Sequence, residues 1–322
     1  MKPDYVLIVG QGRSGTNWLL DLLDLSPYTH CRNEPNELDA SPLFQLPSPF
    51  VQHPLGDSFP QEWEQAVEST SLRMGDRDRI AIHPKSHIYE PVRRLGGALV
   101  LGKRRVRRLL SAVFPSLGQS EWSIPWWFAN PNALKQATTI LKLNSTPAWA
   151  EWVLLNRPAV IVIHIVRHPG GFLNSWEKRC VAGLGLDPVN VKKDNDERLR
   201  KIAQSDPQWA EILEDIDAMS IEESELWYWR YVNETIYLAG HERPNYIQLI
   251  YEDLVANPLQ VMKRIYEKCN LPWTTEIEQE ISNSASQSQS IATAWPKKLK
   301  SKQVELVRRI LKSSFMAQWW EE

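Results

Sequence analysis

An α/β fold with a mostly parallel sheet flanked by helices is what this sequence predicts, and three observations predict it. Apolar runs of strand length occur at residues 5–9, 159–166 and 246–250. Each passes through a turn into a segment with apolar residues at helical spacing. Strands that alternate with helices in this way pair in parallel and are covered on both faces.

In the first unit, YVLIV ends in glycines, and Trp18, Leu19, Leu22 and Leu23 then recur at helical spacing until Ser26-Pro27 stops the pattern. In the second, AVIVIHIV is continuously apolar, as a strand buried on both faces must be. The chain then crosses His168-Pro169-Gly170-Gly171 into a helix near residues 172–180. The third strand, 246–250, precedes a helix that starts near Asn257-Pro258 and stops before Leu271-Pro272. Open parallel sheets bind ligands beyond the carboxyl ends of their strands, so function is expected in the residues that follow each run. Frequent prolines at 41–60 and a Ser/Gln-rich stretch at 282–290 read as surface loops.

Composition narrows the function classes. Of 322 residues, 43% are hydrophobic and 24% charged, a balance that buries a core and disfavours disorder. A formal net charge of -2 gives nucleic acid no whole-molecule attraction. The basic run Lys103, Arg104, Arg105, Arg107 and Arg108 lacks interleaved aromatics and reads as a solvated helix face. Cys31, Cys180 and Cys269 are odd in number and widely spaced, which favours thiols in a reducing compartment over a disulfide framework or a metal site. Neither a leader pattern nor an apolar run of membrane-spanning length occurs. A cytoplasmic protein with no nucleic-acid or membrane partner is the expectation.

The segment GQGRSGTNW fits several chemistries. Gly10, Gly12 and Gly15 have the spacing of a dinucleotide-binding fingerprint, with Glu34 about where a ribose-binding acid belongs. That would make an NAD-dependent oxidoreductase, but such an acid should end a second apolar strand, and residues 28–33 are polar. Gly10 and Gly15 also have the spacing of a nucleoside triphosphate loop, yet Thr16 and Asn17 stand where its lysine and its serine or threonine belong. An NTPase further needs an acid after a buried strand to hold magnesium, and here the strand at 159–166 ends in Arg167. What remains is a metal-free anion cradle: backbone N–H groups of residues 14–17, the hydroxyls of Ser14 and Thr16, and the cation Arg13. Such a cradle suits a phosphosulfate, whose transferring group carries less charge than a terminal phosphoryl group. It would equally serve a noncatalytic nucleotide-binding module, or be a turn that serves only the fold.

Three motifs in order carry a family resemblance. GRSGTNWL resembles the 5′-phosphosulfate loop of the sulfotransferases that use 3′-phosphoadenosine-5′-phosphosulfate (PAPS). HIVRHPGGFLNSW is similar to their 3′-phosphate motif, and LIYEDLVANPLQVMKRIYEKCNLP to their segment around Tyr-Glu-Asp-Leu. The resemblance implies a P-loop-like sulfotransferase fold in one domain over 1–322, with a mainly helical insertion or acceptor-pocket region at about 40–135. It implies PAPS as donor, 3′-phosphoadenosine 5′-phosphate as product, no metal, and a hydroxyl or amine on a small-molecule or carrier-bound acceptor. Arg13, with Ser14, Gly15, Thr16 and Asn17, would hold the phosphosulfate. Arg167 and Ser175 would hold the 3′-phosphate by a guanidinium fork and a hydroxyl. Trp18 would stack on adenine or pack the first helix into the core, and Tyr251 would line the adenine pocket or end a structural strand. Lys297 and Lys298 would close over the nucleotide or remain surface lysines.

Sulfuryl transfer needs a base for the acceptor proton and a cation near the bridging oxygen of the leaving nucleotide. By resemblance to the sulfotransferases that act on protein tyrosines, Glu34 in HCRNEPNEL is the candidate base. Lys142 in LKLNSTP is the candidate cation, at the interval before the phosphate arginine that the cytosolic branch shows. That branch has a histidine base two residues after the lysine, where this chain has Asn144. Lys85-Ser86-His87 copies the lysine and histidine pair far upstream, which keeps His87 as an alternative base. The 15 tryptophans, several in EWSIPWWF and ELWYWRY, would form aromatic walls for an acceptor or pack in the core.

Overall fold

A computed structural model describes residues 2–75, 85–90, 121–124, 129–178, 187–285 and 294–320. In chain order its strands are β1 (Val6–Gly10), β2 (Thr29–Asn33), β3 (Arg73–Gly75), β4 (Glu121–Ser123), β5 (Thr138–Asn144), β6 (Ile161–Val166) and β7 (Tyr246–Ile250). Five of them form one parallel sheet in the order β2-β5-β1-β6-β7, and β3 with β4 makes a separate antiparallel pair. The chain adopts the expected α/β class, a parallel sheet flanked by helices.

Alternation of side chains along each strand divides the core in two. Leu7 and Val9 of β1 face a layer that includes helices Phe59–Ser71, Pro147–Asn156, Pro169–Trp176, Pro188–Ser205, Ile221–Gly240 and Ser301–Lys312. Val6 and Ile8 face the opposite layer, with Thr16–Asp24, Tyr251–Ala256, Pro258–Lys268 and Thr275–Ala285. The ELWYWRY stretch lies in helix Ile221–Gly240, where Trp227, Tyr228, Trp229 and Tyr231 are buried core residues. These tryptophans are packing groups and not acceptor walls. Residues 125–128 of the other tryptophan-rich segment, the basic run at 103–108 and Cys180 lie outside the described residues. Of the insertion expected at about 40–135, the described part holds helix Phe59–Ser71, β3 and β4.

The sheet also holds a strand that no apolar run marks. Residues 28–33 lack the apolar character of a buried strand, yet Thr29–Asn33 forms β2 at the sheet edge. Its polar side chains find acceptors nearby: Thr29 Oγ1 reaches the Leu23 and Ser26 carbonyls at 3.1 and 2.9 Å, and the buried Arg32 donates to the Thr70 carbonyl. An edge strand flanked by helix ends satisfies polar groups that a central strand could not. The strand order also bears on the first glycine loop. In a dinucleotide-binding fold the second strand lies beside the first and carries its acid to the ribose. Here β5 lies between β1 and β2, so Glu34 comes out beside β5 instead.

Candidate functional site

β1 delivers the chain to the carboxyl edge of the sheet, where residues 11–15 turn into helix Thr16–Asp24. Arg13 (φ 74°) and Gly15 (φ 93°) adopt left-handed backbone conformations, and Gly15 caps the helix without a side chain. N–H groups in the first turn of such a helix have no intrahelical acceptor and sit at the positive end of its dipole. Gly15 is required for a second reason, because a Cβ there would lie 2.4 Å from the Tyr251 ring. The Ser14 hydroxyl is buried and has no hydrogen-bond partner among the described residues. An orphaned buried hydroxyl beside a helix start fits an anion oxygen.

Sheet register assembles the next part. β5 pairs with β1 so that Asn144 lies opposite Gly10, and with β2 so that Lys142 lies opposite Asn33. Ile140, Lys142 and Asn144 share one face; Ile140 packs in the core, and the two polar residues follow it toward the start of helix Thr16–Asp24. Lys142 Nζ donates to Asn17 Oδ1 (2.5 Å), Asn33 Oδ1 (2.8 Å) and Glu34 Oε1 (2.7 Å). Asn144 Nδ2 donates to the same Glu34 oxygen. Lys142 is fully buried while Glu34 keeps 18% of its side-chain surface exposed. A buried ammonium is tolerated only when an acid and polar oxygens surround it. Glu34 also has a left-handed backbone (φ 52°), a strained state for a non-glycine residue. Its N–H donates to the Lys142 carbonyl at 2.9 Å, which carries the β2–β5 pairing through the bend.

β6 ends just before Arg167, whose Nη1 donates to the Arg13 carbonyl at 3.2 Å and whose guanidinium lies 4.5 Å from the centre of the Tyr251 ring. Burial lowers the Arg167 pKa, opposed by Tyr251 and Glu252, but a guanidinium stays charged. Gly171 leaves room for it, since a Cβ there would lie 2.8 Å from Arg167 Nε. In the same helix, Ser175 Oγ accepts from Arg13 Nε (3.2 Å) and Nη2 (3.0 Å), so the two candidate anion motifs touch although 162 residues separate them. Trp18 stands edge-on to Tyr251, with ring centres 6.1 Å apart, and its Nε1 donates to Ser284 Oγ at 2.8 Å. It therefore covers part of the core and borders the Tyr251 wall. Lys297 and Lys298 are exposed, and the turn that carries them is anchored beside Arg167 by Trp295, which stacks on His168 at 4.4 Å.

His87 is not brought to this assembly. It packs against His30, near the start of β2, with ring centres 5.6 Å apart. Lys85 likewise serves the amino end of that strand, through Ser26 O (2.9 Å), Thr29 Oγ1 (3.0 Å) and an ion pair with Asp24 at 2.7 Å. Glu34 follows the other end. Burial, with the nearby His30 and Lys85 charges, lowers the His87 pKa to about 3, which leaves a neutral ring with little affinity for a proton. The Lys85–His87 segment thus braces the first helix and β2, at the end of the strand opposite Glu34. Sequence reading passes over three residues at the site: Asn33, which holds Lys142, and the bonded pair Gln11 and Glu225 behind the loop. Asn33 could have been found from its place beside Glu34; Glu225, 214 residues from Gln11, leaves no local signal.

Fold and site together define a P-loop-like α/β protein in which Arg13 and Arg167 meet at the first glycine loop and a lysine–glutamate pair stands beside the helix that follows it. The family is equally plain: the profile of the sulfotransferase family matches residues 3–275, and the chain belongs to that family. No curated protein sequence matches it. Similar solved structures include the sulfotransferase domain from the curacin biosynthetic pathway, at 16% identity over 99% of this chain and 98% of that one, with a TM-score of 0.46. The sulfotransferase domain from the Synechococcus PCC 7002 olefin synthase is 16% identical over 96% and 94%, with a TM-score of 0.40. Mouse sulfotransferase SULT7A1 complexed with PAP is 12% identical over 99% and 88%, with a TM-score of 0.42. Among the described residues no helix is long and apolar enough to cross a membrane.

Proposed function

We propose that this sulfotransferase takes its sulfuryl group from PAPS and passes it to a hydroxyl or amine of a small-molecule or carrier-bound acceptor in the cytoplasm. The observation that carries the reading is the Lys142–Glu34 pair, 2.7 Å apart at the rim of the anion cradle. PAPS, when bound, supplies a sulfuryl group on a nucleotide that leaves as 3′-phosphoadenosine 5′-phosphate. Arg13, the Ser14 and Thr16 hydroxyls and the N–H groups of residues 15–17 hold its 5′ end. Arg167 and Ser175 hold the 3′-phosphate, Trp18 and Tyr251 border adenine, and Lys297 and Lys298 lie over the nucleotide. Glu34 takes the acceptor proton, and Lys142 Nζ meets the charge that develops on the bridging oxygen. Arg13, Arg167 and Lys142 supply the positive charge that a metal ion supplies in phosphoryl transfer.

Thermal shift with adenosine 3′,5′-bisphosphate, NADH, and ATP with magnesium tests the nucleotide. Ligand at about 100 times Kd stabilises by about 2.7 kcal/mol, and only the bisphosphate is expected to do so. Stabilisation by NADH alone rejects the reading. Transfer of labelled sulfuryl from PAPS to a panel of hydroxyl and amine acceptors then identifies the acceptor class.

A further inference from the structure

Gln11, between the first two glycines of the cradle loop, is 4% exposed, and both ends of its amide are engaged. Nε2 donates to Glu225 Oε1 at 3.3 Å, and Oε1 accepts from Ser145 Oγ at 2.7 Å. The Gln11 carbonyl accepts from the Ser14 N–H at 3.2 Å, so the place of Gln11 fixes the turn that follows it. Glu225, in helix Ile221–Gly240, is also buried, and its second oxygen accepts from Asn195 Nδ2 at 2.8 Å, in helix Pro188–Ser205. The other ionisable groups that act on it are Arg198, from that second helix, and Tyr228, one turn along its own. Its hydrogen bonds come from the two amides.

We propose that Glu225 is a positioning residue for the nucleotide: its ionised carboxylate holds Gln11 and thereby sets the shape of the 5′ cradle. The inference rests on residues 11–17 being a nucleotide cradle. Ionised, Glu225 offers two acceptor oxygens to two amide donors. Protonated, it turns one oxygen into a donor, and an N–H of Gln11 or Asn195 loses its acceptor. Burial raises the Glu225 pKa, against the opposing effects of Asn195, Arg198 and Gln11, so the change falls at a higher pH than in an exposed glutamate.

The test measures affinity for adenosine 3′,5′-bisphosphate across pH by titration calorimetry, on the full chain, in the wild type, Glu225→Gln and Glu225→Leu. Hydrogen exchange of the amides of residues 12–17 is followed in the nucleotide-free proteins. On acidification the wild type is expected to lose more affinity than Glu225→Gln, whose amide cannot titrate. Glu225→Leu is expected to bind about tenfold more weakly at neutral pH and to exchange its loop amides faster, with unchanged circular dichroism. Equal pH profiles in the wild type and Glu225→Gln overturn the proposal, as does full loop protection in a folded Glu225→Leu. Should Glu225→Leu not fold, the pH comparison decides. If the bisphosphate does not bind the wild type, the nucleotide reading fails, and amide exchange still decides whether Glu225 shapes the loop.

Discussion

Arg13 and Ser175 are bonded to each other: Nε and Nη2 of the arginine both donate to the serine oxygen, at 3.2 and 3.0 Å. One guanidinium therefore spans the proposed 5′ and 3′ subsites. Arg13→Ala is expected to weaken bisphosphate binding by roughly 10- to 100-fold and Ser175→Ala by less, because a charged donor is lost in the first and a neutral one in the second. The double variant should fall short of the product of the two, since bonded partners couple. Titration calorimetry on the four proteins checks this, and independent effects would deny the shared role.

Glu34→Gln is expected to lower transfer by roughly 10²- to 10⁴-fold, the usual contribution of a general base, with bisphosphate affinity little changed. Lys142→Ala should lose transfer and also stability, by about 1–3 kcal/mol, because three oxygens lose this donor in a mostly buried place. Single-turnover assays and urea unfolding separate the two effects. Full turnover by Glu34→Gln would move the base elsewhere.

Gly15→Ala combines a left-handed backbone with a Cβ 2.4 Å from the Tyr251 ring. A cost of about 1–3 kcal/mol is expected from the strain, together with displacement of Tyr251 and weaker nucleotide binding. Melting curves with and without bisphosphate read both. An unchanged midpoint would show that Tyr251 yields freely.

Acid stability follows from four histidines, His30, His87 and His164 buried and His168 half-buried. Burial is the main cause that lowers the pKa of His30 and His87 to about 3 and of His164 and His168 to about 4. Unfolded, these rings take up protons near pH 6.5, whereas the folded chain resists until lower pH. Their contribution is thus complete above pH 6.5 and is lost as pH falls from there toward 4 and then 3. Urea midpoints should drop steeply between pH 7 and 5, by several kcal/mol in unfolding free energy. A flat profile would mean that the rings are solvated.

Much of this site is legible in the sequence where chemistry and chain neighbourhood coincide. The strand, glycine loop and helix that carry Arg13, and the apolar strand that ends before Arg167, announce themselves by period and punctuation. β2 does not, because its buried groups are polar and are satisfied by helix ends that no local pattern reveals. His87 copies the spacing of a catalytic pair, but spacing is blind to which end of a strand a residue serves. The aromatic clusters mislead for a related reason: a helix buried on most sides carries tryptophans at the positions a ligand wall would use.

The strand order has a consequence in time. Among the described residues the only sheet neighbour of β2 is β5, and the facing residues Asn33 and Lys142 are 109 positions apart. A chain emerging from the ribosome thus completes its first helix and holds β2 unmated until residues 138–144 arrive and wedge between β2 and β1. Closing so long a loop is slow, and it is the same event that joins Glu34 to Lys142. Recovery of turnover during refolding should therefore keep pace with insertion of β5 and lag behind the growth of helical signal.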